Sequence, residues 1–540
     1  MQYSLAYGRE RLTVELPEKN VIKVLKIQSL AALEDPIDAV FDVLEEPFET
    51  EPLAAIAEGK KSACVVVCDG TYPAPNPVVL PPILQTLEDS GVDVSKITIL
   101  IATGLRRPCT TEERLEIIGE DIMLRKFKVS DHNAKKLHQH EYLGVTKSGT
   151  PIWVDRRYLE AEIKILTGLI EPHSMTGFSG GRKAICPGIA AAETVATCYS
   201  PALLEQETVR AGSVEDNPVH TEQMEIARKA GCDFIVNVIL NQDRKIAKVI
   251  GGHMNQAFLR GVAIAKKCLA DTVENQVDIV VTSGGGAPYD KTWYQAIRGI
   301  VGAIDIVKPG GTIIIAAACT EGVGNAEFEE LAGKFPSIDD FMAAITSGEQ
   351  SFPDQWQLVE LAKALRKCKV KVVSGGVSAE ALQKFFVTPC ATTEEALAES
   401  LQEYGSDASI AVIPAGPCVL ALAKHKEPEA PKAEPKKGEP KKTEAKEAKQ
   451  LETTEAEPKE AEPVEAVDKE VTKTETKKAT KKAAGKKTVI EKTETQGTET
   501  EETATPGAET QGAEIQGTET QGAETKKAAK KTTKKATKKA

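Results

Sequence analysis

The sequence predicts an α/β protein: two α/β domains with mainly parallel sheets and an interdomain cleft, followed by a disordered C-terminal tail. Through residues 1–425, short apolar runs rich in Val and Ile alternate with longer amphipathic segments. Such alternation is typical of buried parallel strands that are joined by helices. Several runs end in glycine-rich polar segments, which is where α/β proteins place their functional groups. Residues 426–540, by contrast, contain no Phe, Tyr or Trp.

The apolar runs of the first half predict five strands: Ala63–Val67, Ile97–Ile101, Ile163–Ile170, Phe234–Leu240 and Lys245–Ile250. The last two flank the sequence NQDR and are predicted to form a hairpin. Amphipathic and helix-start patterns predict helices at Val78–Asp89, Thr111–Ile117, Asn217–Ala230 and Met254–Ala270. The second half repeats this order and predicts strands at Asp278–Thr282, Gly311–Ala316, Val370–Val373 and Ser409–Ile413.

Charge is unevenly distributed along the chain. The net charge is −12, and residues 426–540 contribute 26 Lys against 24 acidic residues, so residues 1–425 carry −14. An acidic folded part argues against a nucleic-acid binder. The tail consists mainly of Lys, Glu, Thr, Ala, Pro, Gln and Gly, and it cannot bury enough apolar area to offset the entropy of ordering it.

The end of the tail is strongly basic. Lys526–Ala540 carries eight Lys and no acidic residue. Through Lys526–Lys539 this segment could contact DNA, RNA or another polyanion, or it could act as a solubilising spacer.

We expect the tail to be dispensable for the fold and chemistry of the core, because it lacks the apolar residues that packing requires. Limited proteolysis should trim the chain to about residues 1–425 without unfolding it. DNA binding, if measured, should vanish on deletion of Lys526–Ala540 and weaken steeply with salt. Salt-independent binding, or loss of cooperative unfolding in the truncated chain, would contradict this expectation.

The cysteines and the N-terminus bear on location. All eleven Cys precede residue 420 and most lie in or beside apolar runs, as reduced thiols of a cytoplasmic protein do. The N-terminal sequence MQYSLAYGRERLTVELP is charged where a signal peptide is apolar, and no apolar run reaches the roughly 18 residues of a membrane span. We therefore expect a cytoplasmic protein without membrane contact.

The segment Glu171–Gly188, EPHSMTGFSGGRKAICPG, is the most informative motif. It follows the predicted strand Ile163–Ile170 and places His173 and Lys183 on either side of a glycine-rich turn. Pattern alone leaves three readings open: a phosphate or nucleotide cradle, a covalent or catalytic lysine, and a turn without functional role. Neither GxxxxGK[ST] nor GxGxxG is present, which favours a less common cofactor.

The same segment resembles the signature of the nickel-pincer lactate racemase family. Three further blocks stand in that family's order: CDGTYPAP at Cys68–Pro75, IATGLRRPCTT at Ile101–Thr111 and GAPYDKTWYQAIRG at Gly286–Gly299. The resemblance covers roughly residues 1–425 and implies an N-terminal catalytic domain, 1–272, and a C-terminal α/β domain, 273–425.

The resemblance implies racemisation or epimerisation of a 2-hydroxy acid by hydride transfer to a nickel-bound pyridinium nucleotide, which cofactor-assembly proteins would supply. Lys183 matches the lysine that tethers this nucleotide, and His173 matches a proton-transferring histidine. The remaining matched positions are assigned to the cofactor (Asp69, Thr71, Tyr72, Gly180 and Gly181) and to the substrate (Arg106, Gln295 and Arg298).

Three matched positions differ from the family pattern. Tyr72 replaces an arginine, Arg106 replaces the second catalytic histidine, and Tyr199 replaces the nickel-ligating histidine. Cys198 and His220 are the nearby candidates for a substitute ligand. A second hypothesis is therefore a non-racemising scaffold or binding protein of the same family, with a basic tail that contacts polyanions.

Overall fold

A computed structural model describes residues 1–348 and 350–426 of the chain. Apart from Lys426, the tail that the sequence predicts to be disordered lies outside the described residues, and so does Lys526–Lys539, the segment predicted to contact polyanions.

The described residues contain two six-stranded sheets. In the first, the strands are ordered Ile246–Gly252, Phe234–Leu240, Ile163–Leu169, Ala63–Cys68, Ile97–Ala102 and Lys128–Asp131. All neighbours are parallel except the first pair, which forms the predicted hairpin. The second sheet is parallel throughout, in the order Thr388–Pro389, Lys369–Val373, Val307–Ala316, Val277–Ser283, Ile410–Ile413 and Val21–Val24. The predicted α/β class with mainly parallel sheets is confirmed.

Small two-stranded sheets complete the β-structure: Gln2–Tyr7 with Glu10–Glu15, His140–Val145 with Pro151–Asp155, Pro172–His173 with Gly177–Phe178, and Ala270–Asn275 with Leu420–His425. The α-helices are Pro36–Glu45, Leu53–Ala57, Asn76–Asp89, Thr111–Ile118, Glu120–Met123, Arg156–Leu159, Ala192–Cys198, Pro201–Leu204, Pro218–Ala230, Gln256–Leu269, Trp293–Val301, Ala326–Ala332, Ile338–Thr346, Gln355–Lys367, Ala379–Gln383 and Thr393–Tyr404. Within the described residues, none of these helices has the length and apolar character that crossing a membrane requires.

The four central strands of the first sheet are buried on both faces, whereas the edge strand Lys128–Asp131, which the sequence did not predict, is only partly buried. In Ala63–Cys68, Val65 and Val67 belong to one apolar cluster, whereas Cys64 and Val66 belong to another on the opposite face. Successive side chains of a strand point to opposite faces, so a strand covered on both sides must be apolar at every position. This is why the apolar runs predicted these strands to within about two residues.

The first residues of the chain contribute to the second sheet. Val21–Val24 pairs with Ile410–Ile413, at the far end of the described residues. A four-residue strand with an exposed Ile22 carries no local pattern that identifies this partner. The boundaries 1–272 and 273–425 remain a prediction.

Candidate functional site

A cavity of about 760 Å³ lies at the carboxyl ends of strands of the first sheet. Ala63–Cys68, Ile97–Ala102 and Ile163–Leu169 each end at its wall, and the helix Trp293–Val301 closes another side. This position agrees with the rule that parallel sheets bind ligands beyond the carboxyl ends of their strands. Most of the residues predicted for the site line the cavity: Asp69, Thr71, Tyr72, Arg106, His173, Gly180, Lys183, Tyr199, Gln295 and Arg298.

The glycines of the turn are explained by close packing. Gly180 has a φ of +89°, and a Cβ at this position would lie 2.7 Å from Asn237 Oδ1. The Gly181 N–H donates to the same oxygen at 2.9 Å. The turn therefore needs glycine to pass the neighbouring strand. Because the Gly181 amide is already bonded, it is not free to cradle a phosphate.

Lys183 presents its Nζ amine to the cavity. Its Nζ donates to the Tyr72 hydroxyl at 2.7 Å and lies 4.6 Å from the centroid of that ring. It forms no ion pair with any carboxylate of the described residues. Burial, and then the positive charge of Arg298, lowers the pKa of Lys183 well below its ordinary value. A lowered pKa favours the neutral amine, which is a nucleophile, over the ammonium form that an ordinary lysine has at neutral pH.

His173 is held as a neutral ring. The Met175 N–H donates to Nδ1 at 3.2 Å, so the neutral imidazole carries its hydrogen on Nε2. Nε2 is then the nitrogen left for a ligand. Burial lowers the pKa of His173 well below its ordinary value, and the positive charge of Arg298 adds to the effect.

Arg298 provides an anion-binding group. Its guanidinium lies between the rings of Tyr72 and Tyr289, with the Cζ atom 5.1 Å from each centroid. The nearest carboxylate oxygen, Glu171 Oε1, is 4.0 Å from Nη1, and Nη2 has no hydrogen-bond partner among the described residues. Burial raises the pKa of Glu171, and Tyr289 donates a hydrogen bond to it. Arg298 therefore keeps donor capacity for a ligand carboxylate.

Asp69 organises the opposite wall. One oxygen accepts from the Thr71 backbone at 3.2 Å and from its hydroxyl at 2.6 Å. The other oxygen accepts from Arg106 Nη1 at 3.0 Å. The Arg106 side chain is 39% exposed, so its remaining donors can reach a ligand. Arg106 thus positions Asp69 as well as facing the cavity.

Gln295 is fixed by its neighbours. Its Oε1 accepts from the Thr292 hydroxyl at 3.1 Å, and its Nε2 donates to the Pro288 carbonyl at 3.1 Å. One N–H of the amide is left for a ligand, and the orientation of the group is set in advance.

The three candidate metal ligands are not brought together. Tyr199 lines the cavity, and its hydroxyl accepts from Gln223 Nε2 at 3.1 Å. Cys198 is fully buried, and the structure places it outside the cavity wall. His220 also lies away from the wall and stacks on Phe258, with ring centroids 6.0 Å apart. Within the described residues, no group of three or more His, Cys, Asp or Glu side chains is arranged to hold a metal ion.

An aromatic wall was missed by the sequence reasoning. Trp356 Nε1 donates to the Tyr294 hydroxyl at 2.9 Å, and that hydroxyl donates to Asp354 at 3.1 Å. The Trp356 ring also lies 5.7 Å from that of Tyr199. Tyr294 stands next to Gln295 in a recognised block and could have been singled out. Trp356 lies in a helix start without any motif, so only the tertiary structure identifies it.

Comparison with known proteins gives two matching family models. One, described as the lactate racemase N-terminal domain, matches residues 7–211, and the other, the lactate racemase C-terminal domain, matches residues 272–421. The lactate racemase of Thermoanaerobacterium thermosaccharolyticum is 32% identical over 424 residues, which are 78% of this chain and 99% of that protein. The lactate racemase of Lactiplantibacillus plantarum is 30% identical over 417 residues, 76% of this chain and 97% of that protein.

The fold is also similar to those of solved structures. The lactate racemase apoprotein from Thermoanaerobacterium thermosaccharolyticum has a TM-score of 0.73 at 32% identity, covering 78% of this chain and 100% of that one. A crystal structure of a protein from Thermotoga maritima has a TM-score of 0.57 at 17% identity, covering 74% of this chain and 100% of that one. The second likeness concerns the fold alone.

Proposed function

Because this chain belongs to the lactate racemase family, we propose that it racemises or epimerises a 2-hydroxy acid in the cavity that His173 and Lys183 line. One observation carries the proposal: the imidazole of His173, the amine of Lys183 and the guanidinium of Arg298 line the same cavity, and burial favours the uncharged forms of the first two. Proton transfer, cofactor attachment and carboxylate binding need these three groups.

The nickel-pincer nucleotide implied by the family resemblance fits the cavity in its organic part. Lys183 offers the amine for a covalent tether, Asp69 and Thr71 face the same space, and about 760 Å³ accommodates a nucleotide beside a small acid. The donor set for nickel is different, since position 199 holds a phenol where the family has an imidazole. Burial raises the pKa of Tyr199 well above its ordinary value, and a protonated phenol is a weaker ligand than imidazole.

The roles of this chain's own residues follow from their contacts. When bound, the nucleotide supplies a carbon that accepts the α-hydrogen as hydride and returns it. Arg298 and Gln295 hold the substrate carboxylate, and His173 exchanges a proton with the 2-hydroxyl group at Nε2. In the tautomer that accepts from Met175, Nε2 already carries the ring's hydrogen and cannot take a second proton. To take one, the ring must move its hydrogen to Nδ1 and release the Met175 bond.

We expect Arg106→Lys mainly to raise KM, because a lysine keeps one charge but loses the planar, two-pronged donor geometry. An arginine cannot act as the base, since its pKa exceeds about 12. Arg106→His, in contrast, should raise lactate racemisation by placing a second imidazole at the cavity. The measurement is the steady-state kinetics of both variants, with Arg125→Lys as control, an exposed arginine paired with Glu88. A collapse of kcat in Arg106→Lys with unchanged KM would contradict substrate binding by this residue.

The proposed activity is tested on full-length protein produced together with cofactor-assembly proteins. Single enantiomers of lactate and of larger 2-hydroxy acids are incubated with it, and chiral chromatography follows the opposite enantiomer. We expect interconversion of at least one acid in both directions. If the chain carries the covalent nucleotide and yet interconverts none of the acids, the racemase proposal is wrong.

That outcome would favour the second candidate, a non-racemising scaffold or binding protein. The observation behind it is the guanidinium of Arg106 at the position of a catalytic imidazole, together with Tyr199 at the position of the nickel ligand. Under this hypothesis the cavity binds a hydroxy acid or the nucleotide without turnover. A contact of the basic tail with polyanions remains a proposal that rests on the sequence.

A further inference from the structure

The surroundings of Lys183 Nζ favour its reaction with a carbonyl group. This Nζ lines a cavity of about 760 Å³ and lies 2.7 Å from the Tyr72 hydroxyl, and burial favours the uncharged form of the amine. Burial raises the pKa of Tyr72 to about 12, so this hydroxyl keeps its proton and can donate it. A nucleophilic amine beside a proton donor is the pairing that imine formation requires.

A group suited to bind a carboxylate, the Arg298 guanidinium, contacts the same aromatic ring as this amine. The Tyr72 ring contacts both, with Lys183 Nζ 4.6 Å and Arg298 Cζ 5.1 Å from its centroid. The Arg298 Nη2 is buried and lacks a hydrogen-bond partner within the described part of the chain. A carboxylate bound to Arg298 would bring the adjacent carbon of the same molecule toward Lys183. A ligand that binds Arg298 through its carboxylate and reacts with Lys183 through a ketone therefore has the ketone on the carbon next to the carboxylate.

We propose that the chain, before any cofactor is attached, binds 2-oxo acids covalently as an imine between Lys183 Nζ and the ketone carbon. Arg298 holds the carboxylate. The Nζ lone pair forms a bond to the ketone carbon, and the ketone oxygen takes a proton from the Tyr72 hydroxyl. The new hydroxyl group then leaves as water together with one of the two protons on nitrogen, which gives the C=N bond. The second proton on nitrogen returns to the Tyr72 oxygen. The reaction consumes an amine and a ketone, releases water and needs no oxidant or reductant.

This activity goes beyond the racemase proposal and concerns the unmodified protein. The 2-oxo acid and the cofactor would compete for Lys183, because an imine at Nζ blocks the atom to which a cofactor would be tethered. Cofactor attachment should therefore slow in the presence of the acid and recover when the acid is removed, since imines hydrolyse.

The test uses full-length protein from a host without cofactor-assembly proteins. The protein is incubated with pyruvate, borohydride is added to reduce the imine to a stable amine, and intact mass and peptide mapping follow. We expect one reduced pyruvate per chain, located on Lys183, and none in Lys183→Ala. The matched control is Lys135→Ala, which removes another cavity lysine that is paired with Glu327 at 2.6 Å, and it should react like the wild type.

Two further arms test the assigned contacts. Arg298→Gln should lower trapping at least tenfold, and acetone, which has no carboxylate, should be trapped far less than pyruvate. Tyr72→Phe should slow the reaction without abolishing it. The map of the wild-type adduct assigns the site even if a variant fails to fold. Labelling spread over several lysines, or equal labelling by acetone, would overturn the proposal.

The racemase proposal is judged separately. Cofactor-loaded protein that racemises while the unloaded protein gives no adduct would refute the imine alone. An adduct on Lys183 together with loaded protein that does not racemise would refute the racemase proposal alone.

Discussion

Replacing Lys183 with alanine should yield a chain that carries no covalent nucleotide and no nickel-associated visible absorbance. Burial and the positive charge of Arg298 lower the pKa of the amine at this position, and no other lysine of the cavity wall shares that environment. Lys135 and Lys291, which also line the cavity, are paired with Glu327 and Glu321. An amine that is held in an ion pair with a carboxylate is a poor nucleophile toward a thiocarboxyl group. The expected effect is therefore complete loss of the adduct.

The measurement is the intact mass of wild-type and variant chains, each produced together with cofactor-assembly proteins. Lys135→Ala serves as the control and should keep the mass increase of the wild type. Nickel content and visible spectra provide a second readout. An adduct that survives in Lys183→Ala would show that the tether lies elsewhere.

Replacing His173 with alanine should lower turnover by roughly 10²- to 10⁴-fold, the usual contribution of a positioned proton-transfer group. The structure places no second imidazole at the described cavity wall to take over the role. Substrate binding should change much less, because Arg298 and Gln295 remain in place. The measurement is kcat and KM for an acid that the wild type interconverts, with His138→Ala, an exposed histidine, as control.

The pH dependence follows from the same ring. Burial and the neighbouring positive charges lower the pKa of His173, so the neutral form persists as pH falls past 6.5, the ordinary histidine value. The acid limb of kcat/KM that belongs to this group should therefore lie below pH 6.5. A limb at about 6.5 that disappears in His173→Ala would show an ordinary, solvated imidazole instead.

The same burial affects stability in acid. An unfolded chain binds a proton on His173 near pH 6.5, whereas the folded chain does not. Below that pH the unfolded state binds more protons, so this group makes the free energy of unfolding fall as pH falls. His173→Ala should remove that part of the acid sensitivity, which denaturant titrations at two pH values would measure.

Local pattern identified much of the fold and the segment that carries the chemistry. Strands such as Ile97–Ala102 are buried on both faces, and their continuous apolar runs are readable without knowledge of any partner. The helix Pro218–Ala230 begins where the sequence predicted, because Asn217 accepts a hydrogen bond from the His220 N–H and so caps it. The short strand Val21–Val24 was not predicted, since its stability comes from pairing with Ile410–Ile413.

The sequence by itself determined the family resemblance, the alternation of buried strands and helices, and the loop that bears His173 and Lys183. Only the tertiary structure decided which groups meet. Lys183 contacts Tyr72 across 111 residues of chain, and Arg298 reaches the same ring from a helix between two strands of the second sheet. Strand and helix patterns are local because they reflect burial and backbone geometry over a few residues. Charge, protonation and donor capacity depend on neighbours brought together by packing, and no local pattern encodes those neighbours.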